Sequence, residues 1–460
     1  MHFSNSFVLG CLLTSAVGIS SRTLLWLHGN VPNVTLTNST TSMYQVSSDS
    51  EFSFILERAL AASNGGGAAT GEVLRAAAEI KAGDFESWYR EFKFLEDQLH
   101  DMATSVDSKR FPVSAREQHF HASTYYRLAS FFLHHNASDP RLEFMLDAQL
   151  ADFHTAIKLL PQPGEVITLD TKHGFTVPAY FFPAQQKSDG CAPDRLPTVI
   201  TGTGYDGTQE DLYHSVGVEV LACGWNFISY EGPGQSTVRQ KQNIGFIPEW
   251  WEVVTPVVDY LETRNDVDMD RVALEGLSYG GLLAPLAATE EHRIAAVLAI
   301  DGFLNLQHLL DTEFPSDLID LFKSGNRTAF NAAIQEVYNT PSIETAFRWA
   351  VDQGIWSFDT ADAYDWYAKA GTIFLDEKKL QQIRCPVFVG SGQDDTVAGY
   401  GMPEQMARWL GDKAYYHLSK TNIGAGEHCA IGAEPQLSMV TLDWLADVFD
   451  GKTGNSKVSD

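Results

Sequence analysis

RVALEGLSYGGLLAPLAATEEH, residues 271–292, decides the fold. RVALE reads as a strand and GLLAPLAATEEH as a helix, and between them stands the G-x-S-x-G pentapeptide Gly276-Leu277-Ser278-Tyr279-Gly280. A strand, a tight turn and a helix in that order make a nucleophile elbow. The glycines admit the turn, and the turn lifts Ser278 Oγ above the sheet. The backbone N–H of Tyr279, at the helix start, then points at any oxyanion formed on an attacked carbonyl.

Outward from the elbow, short β-branched runs alternate with helical stretches. The runs are VITLD, FTVPAYFF, PTVITGTG, NFISYEG, RVALEGLS, AAVLAIDG, PVFVGSG and AYYHLSK. The first two lie close enough for a hairpin. Later ones are separated by amphipathic segments such as WWEVVTPVVDYLETR (250–264). This alternation predicts an α/β protein with a doubly wound, mostly parallel sheet. Between 303 and 380 several helical patterns follow without a strand, which predicts a helical lid inserted after the sixth strand. The core is thus expected over 161–302 and 381–450, with a tail at 451–460.

Upstream, residues 51–160 read as an N-terminal helical domain. GEVLRAAAEIKAGDFESWYREFKFLEDQL (71–99) has apolar residues at three- and four-residue spacing. SAREQHFHASTYYRLASFFLHH (114–135) opens on Ser114 as N-cap with Glu117 three residues on. His119 and His121 are two apart, so on a helix they face different ways and make no metal pair. Residues 19–50 are rich in Ser, Thr and Asn and read as a linker. Residues 1–18 carry an apolar stretch ending in Ala16-Val17-Gly18, the pattern of a cleaved signal peptide, although no Lys or Arg precedes Arg22. The stretch is too short to span a bilayer. Sequons at Asn33, Asn38, Asn136 and Asn326 fit a secreted glycoprotein; otherwise the chain is cytoplasmic. The balance of 32 basic against 59 acidic residues, a net charge of -27, sets nucleic acid and anionic membrane surfaces aside as partners. Five widely spaced cysteines, with no C-x-x-C pair, indicate neither a disulfide framework nor a zinc site.

A serine nucleophile needs a base and an acid, and this fold places them in the order Ser, acid, His. PVFVGSGQDDTVAG ends the next-to-last strand and offers Asp395 as the acid, with neighbouring Asp394 as rival. AYYHLSKTNIGAGEHCAIGA supplies His428 after the last strand, whereas His417 falls within that strand. His428 would take the Ser278 proton, and Asp395 would fix its tautomer. Gly202-Thr203-Gly204-Tyr205-Asp206-Gly207 matches G-x-G-x-x-G, with Glu231 near the spacing of a ribose-binding acid. The same loop follows the third strand, however, where a hydrolase places its second oxyanion donor, here the Tyr205 N–H. Trp88, Trp349, Trp356 and Trp366 suggest either a bulky apolar or aromatic small-molecule substrate or ordinary core packing. The chemistry calls for no metal and no organic cofactor.

With those residues in hand, the chain resembles the α/β hydrolases typified by 2,6-dihydroxypseudooxynicotine hydrolase and the fungal hydrolases that shorten polyketide precursors. The resemblance runs through ESWYREF, ASTYYRLASFF, GYDGTQED, SYEGPGQS, WWEVVTPVVDYLETRNDVDMDRVALEGLSYGG, RIAAVLAIDG and GAGEHCAIGA. It implies the α/β-hydrolase fold, a helical N-terminal domain over the active site, a triad on Ser278, Asp395 and His428, and often a homodimer. It also implies cleavage of a carbon–carbon bond next to a ketone, or of an ester, in secondary metabolism. The signal-like N-terminus and HFHAS (119–123), where relatives are more basic, depart from the pattern. Other readings keep the scaffold: an acyltransferase or cyclase using the same triad, a peptidase of the prolyl-oligopeptidase type (which would carry propeller repeats that this chain lacks), or a non-catalytic binding protein.

Overall fold

All eight apolar runs become strands of one sheet in a computed structural model, which describes residues 45–184, 195–398 and 401–452. The strands are β1 (Glu165–Asp170), β2 (Thr176–Phe182), β3 (Leu196–Gly202), β4 (Asn226–Tyr230), β5 (Val267–Leu277), β6 (Ala296–Ile300), β7 (Val387–Gly392) and β8 (Ala414–Ser419), in the order β1-β2-β4-β3-β5-β6-β7-β8. β1 and β2 form an antiparallel hairpin, β2 runs antiparallel to β4, and the remaining pairs are parallel. β3 to β7 are buried or nearly so on both faces, as strands covered by helices must be. The register pairs Gly202 with Gly276 and Gly276 with Ala299, so the loops leaving β3, β5 and β6 emerge side by side.

The N-terminal helices are α1 (Ser50–Ala61), α2 (Thr70–Glu79), α3 (Phe85–Ser105), α4 (Pro112–Ser130) and α5 (Pro140–Lys158). Phe52, Trp88, Phe92, Tyr125 and Phe132 close their shared core. One expectation is corrected here. α4 starts at Pro112 with Phe111 as N-cap, and Ser114 lies inside the first turn. Proline is pre-set for the first helical position and needs no N–H there, so it starts the helix ahead of the serine. Glu117 pairs with Arg116 at 2.7 Å rather than closing a capping box.

Short helices α6 (Gln209–Leu212) and α7 (Val218–Ala222) join β3 to β4, α8 (Ser236–Gln242) and α9 (Trp251–Glu262) join β4 to β5, and α10 (Gly280–Ala288) follows β5. After β6 come six helices without a strand: α11 (Leu306–Glu313), α12 (Ser316–Lys323), α13 (Arg327–Tyr338), α14 (Thr345–Ser357), α15 (Ala363–Ala370) and α16 (Glu377–Leu380). α17 (Met402–Leu410) and α18 (Glu434–Phe449) complete the core. The lid is tied to the helical domain by a stack of Phe131 on Trp349 (5.5 Å, 9°), a hydrogen bond from Thr345 to Asp49, and Arg348 Nη2 donating to Gly83 O at 3.0 Å.

The signal-like segment, most of the linker, Asn33 and Asn38 lie outside the described residues. Asn136 and Asn326 are exposed. No helix among the described residues is long and apolar enough to cross a membrane.

Candidate active site

The elbow has the geometry its glycines imply. Ser278 sits at φ 60, a left-handed conformation that costs a non-glycine residue about 1–3 kcal/mol and clusters at functional sites. A side chain at Gly276 would strike the Gly280 carbonyl, and one at Gly280 would lie 2.8 Å from the carbonyl oxygens of Gly202 and Thr203. The turn is pinned from the sheet, with Ser278 N–H donating to Ile300 O at 2.9 Å. The loop after β3 rests directly on it: a Cβ at Gly204 would stand 3.0 Å from Ser278 Cβ and 3.1 Å from Tyr279 N. Among the described residues, the N–H groups of Tyr205 and Tyr279 have no hydrogen-bond partner.

His428 and Asp395 meet at 2.8 Å, Nδ1 to Oδ2. Asp395 is held in turn, because its Oδ1 accepts from Val397 N at 2.7 Å and Ala398 N at 3.0 Å. Among the described residues, Asp394 makes only a backbone bond, N–H to Gly426 O at 2.8 Å, and its carboxylate does not meet the histidine. Burial opposes charge on the imidazole, but Asp395 and Cys429 outweigh it and hold the His428 pKa well above its ordinary range. His428 Nε2 is buried without a partner among the described residues. His417 packs its ring near Phe388, away from this cluster.

Sequence reasoning missed a second buried acid. Asp301, directly after β6, accepts from Gly392 N at 2.6 Å and from Cys429 N, and thereby clamps the loop of Asp395 to the loop of His428. Burial, then the charge of Asp395, pushes its carboxyl up to about 8. The only signal for it was its place in AIDG at a strand end. Asp301, His428 and Cys429 approach closely enough to suggest an ion site. Both Asp301 oxygens and the imidazole Nδ1 are nevertheless already engaged by protein partners.

Ser278 and His428 border one cavity of about 600 Å³. Its wall is largely apolar, with Phe54, Phe131, Leu309, Phe314, Trp349 and Trp366 among its side chains. The four tryptophans singled out in the sequence therefore divide. Trp349 and Trp366 line the cavity, Trp88 is fully buried in the helical-domain core, and Trp356 stacks on His134 behind the loop after β3. The helical domain reaches the site through α1, whose Phe54 ring lies 6.4 Å from that of His428 and whose Arg58 bonds Asp206 and Asp211, each at 2.9 Å. Glu51 on the same helix also borders the cavity, and burial beside Asp206 and Asp49 raises its carboxyl to about 8. Glu231 is committed to structure, accepting from Gln209 N at 3.0 Å and Thr237 N at 2.7 Å, so the ribose-binding alternative has no free acid.

Sequence similarity to known proteins runs over nearly the whole chain. "Alpha/beta hydrolase xenA" of Xenoacremonium sinensis is 30% identical over 431 residues, covering 89% of this chain and 99% of that protein. The chain belongs to the α/β-hydrolase family. This α/β hydrolase is also 26% identical over 419 residues to the "20-hydroxy-prefusarin hydrolase FUS2" of Gibberella moniliformis, covering 88% of this chain and 98% of the relative. A profile of the prolyl oligopeptidase family matches residues 254–345, from α9 through the elbow into the lid. Among solved structures, the 2,6-dihydroxy-pseudo-oxynicotine hydrolase shares the fold of this hydrolase with a TM-score of 0.66 at 20% identity, over 87% of this chain and 98% of its own.

Proposed function

We propose that this α/β hydrolase is a serine enzyme that cleaves a carbonyl compound, at an ester or at a carbon–carbon bond next to a ketone, through Ser278, His428 and Asp395. The observation that carries this reading is His428 Nε2, buried without a partner among the described residues and braced from behind by Asp395, at the wall of the cavity that Ser278 also borders. With the His428 imidazole in its neutral form, Ser278 Oγ attacks the carbonyl carbon as its proton passes to His428 Nε2, and the N–H groups of Tyr279 and Tyr205 receive the oxyanion. Collapse expels the leaving group, which takes the proton from His428. Water, deprotonated by the same imidazole, then releases the acyl group from Ser278. An ester yields an alcohol; a carbon–carbon bond breaks only where the substrate stabilises the departing carbanion as an enolate.

The cavity's size and apolar wall favour a bulky small molecule, and the names of two relatives specify small organic substrates. A place in secondary metabolism, a homodimer in solution and passage through the secretory pathway complete the reading. The exposed sequons Asn136 and Asn326 are the accessible points for a glycan. Fluorophosphonate labelling with peptide mapping tests the nucleophile. Modification at Ser278, absent in Ser278→Ala, is expected. An unlabelled wild-type protein, or a Ser278→Ala variant with full turnover, refutes it. A condensed product in place of a hydrolysed one would move the reading to acyl transfer or cyclisation.

A further inference from the structure

Four consecutive carbonyls in the loop after β3 are each held by a side-chain donor, and the donors come from three separate parts of the chain. Gln235, buried after β4, gives its Nε2 to Thr203 O at 2.7 Å and to Gly204 O at 3.2 Å, while its Oε1 accepts from Gly232 N at 2.8 Å. Gln353, on lid helix α14 and 2% exposed, gives Nε2 to Tyr205 O at 3.1 Å. Arg127, on α4 of the helical domain, donates Nη2 to Asp206 O. The loop is buried or half-buried along its length, so its carbonyls must find their partners within the protein. Here core, lid and helical domain each take hold of the same six-residue loop.

The geometry of the peptide group turns these bonds into a directional device. In a trans peptide the N–H points opposite to the C=O of the same plane. Drawing the carbonyls of Thr203 and Gly204 toward Gln235 therefore turns the N–H groups of Gly204 and Tyr205 to the other side. That side carries the elbow, because Gly204 is packed against Ser278 and Tyr279. Gln353 fixes the next plane in sequence, and so limits rotation about the Tyr205 backbone.

We propose that Gln353 is a positioning residue for the oxyanion loop, so that the lid completes the oxyanion hole as well as covering the substrate. The proposal rests on the reading of Ser278 as nucleophile. Gln353 suits the role because it does not border the cavity that holds Ser278, and so acts on the reaction through the loop rather than by touching substrate. Arg127 holds the neighbouring carbonyl but borders the cavity, so its replacement would mix the two effects.

The test uses the full chain with Gln353→Leu and Gln353→Glu, a fluorophosphonate as covalent probe and p-nitrophenyl butyrate as ester. Loss of an oxyanion donor costs on the order of 10²–10³ in kcat, and a displaced donor is expected to cost about tenfold or more. Gln353→Leu is expected to lower kcat and the labelling rate together by about that factor, with KM within about threefold. Gln353→Glu adds a readout that packing alone would not move. The ionised carboxylate faces the Tyr205 carbonyl and repels it, whereas the protonated acid donates as the amide did. Its activity relative to wild type should therefore recover as pH falls through the pKa of the introduced group, which burial raises and the neighbouring Arg127 and His134 lower. Both variants labelling and turning over within twofold of wild type would overturn the proposal. A Gln353→Glu deficit that is the same at every pH would overturn it as well. Failure of the wild type to label at Ser278 would instead overturn the nucleophile reading, and the proposal with it.

Discussion

Replacing Gly204 with alanine puts a methyl group where the loop after β3 meets the elbow. Its Cβ would lie 2.9 Å from Leu277 O, 3.0 Å from Ser278 Cβ and 3.1 Å from Tyr279 N. Heavy atoms settle at about 3.5–4.0 Å, so the two surfaces must part by roughly 0.5–1 Å. Neither side gives easily. Ser278 N–H is bonded to Ile300 O, and the loop is held through Gln235. Gly204 is not at a positive φ, so the backbone accepts alanine and the effect is purely one of space. Overpacking of this kind costs about 1–3 kcal/mol of stability. A catalytic group misplaced by ~1 Å can cost about 10²-fold in rate. Gly204→Ala should therefore fold, lose a few kcal/mol in urea unfolding, and slow both fluorophosphonate labelling and ester turnover by about 10²-fold. A variant labelling within threefold of wild type would refute the placement of the oxyanion site between these two surfaces.

Asp395→Asn should lower turnover by about 10⁴-fold, as loss of a triad acid does, while Asp394→Asn stays within threefold; the reverse pattern in kcat would exchange their roles. Trp88→Ala should cost about 3–5 kcal/mol of stability, measured by denaturant unfolding, because its ring is fully buried in the helical domain. Trp349→Ala, at the cavity wall, should instead show its main effect on KM for bulky esters. Stability should fall as pH rises from 6.5 to 8. Glu210 and Asp301 titrate near 8 and Glu275 near 7 in the folded chain, driven first by burial, so the native state holds protons that the unfolded chain has released. The raised His428 acts in the same direction, whereas His134 and His214, lowered by burial to about 3 and 4, oppose it by the smaller amount that their unfolded forms still titrate above pH 6.5. Urea midpoints that stay flat or rise across this range would contradict the assignment.

The sheet and the elbow were legible because their signals are local. A β-branched run bounded by glycine reads as a strand in isolation, and strand–GLSYG–helix carries its own turn chemistry. The choice between Asp395 and Asp394 was a preference in the sequence, since two adjacent carboxylates on one loop differ only in where the chain turns them. Asp301 was hidden because its partners, Gly392 and Cys429, lie about 90 and 130 residues away in sequence. The same distance conceals the contacts of Arg58, Arg127 and Gln353 with one loop, which no periodicity encodes. Ser114 misled for a different reason. A good capping pattern stood two residues inside a proline that starts the helix earlier.

The end of β6 joins parts that the chain keeps far apart. Ile300 O receives the amide of Ser278, and Asp301 grips the loops that carry Asp395 and His428. The lid helices begin only a few residues later, at Leu306. The junction therefore works as a bulkhead: what is built beyond it can lengthen, shorten or change shape while Ser278, Asp395 and His428 behind it keep their mutual positions. A scaffold partitioned in this way lets substrate range change through the lid, with the chemistry left in place.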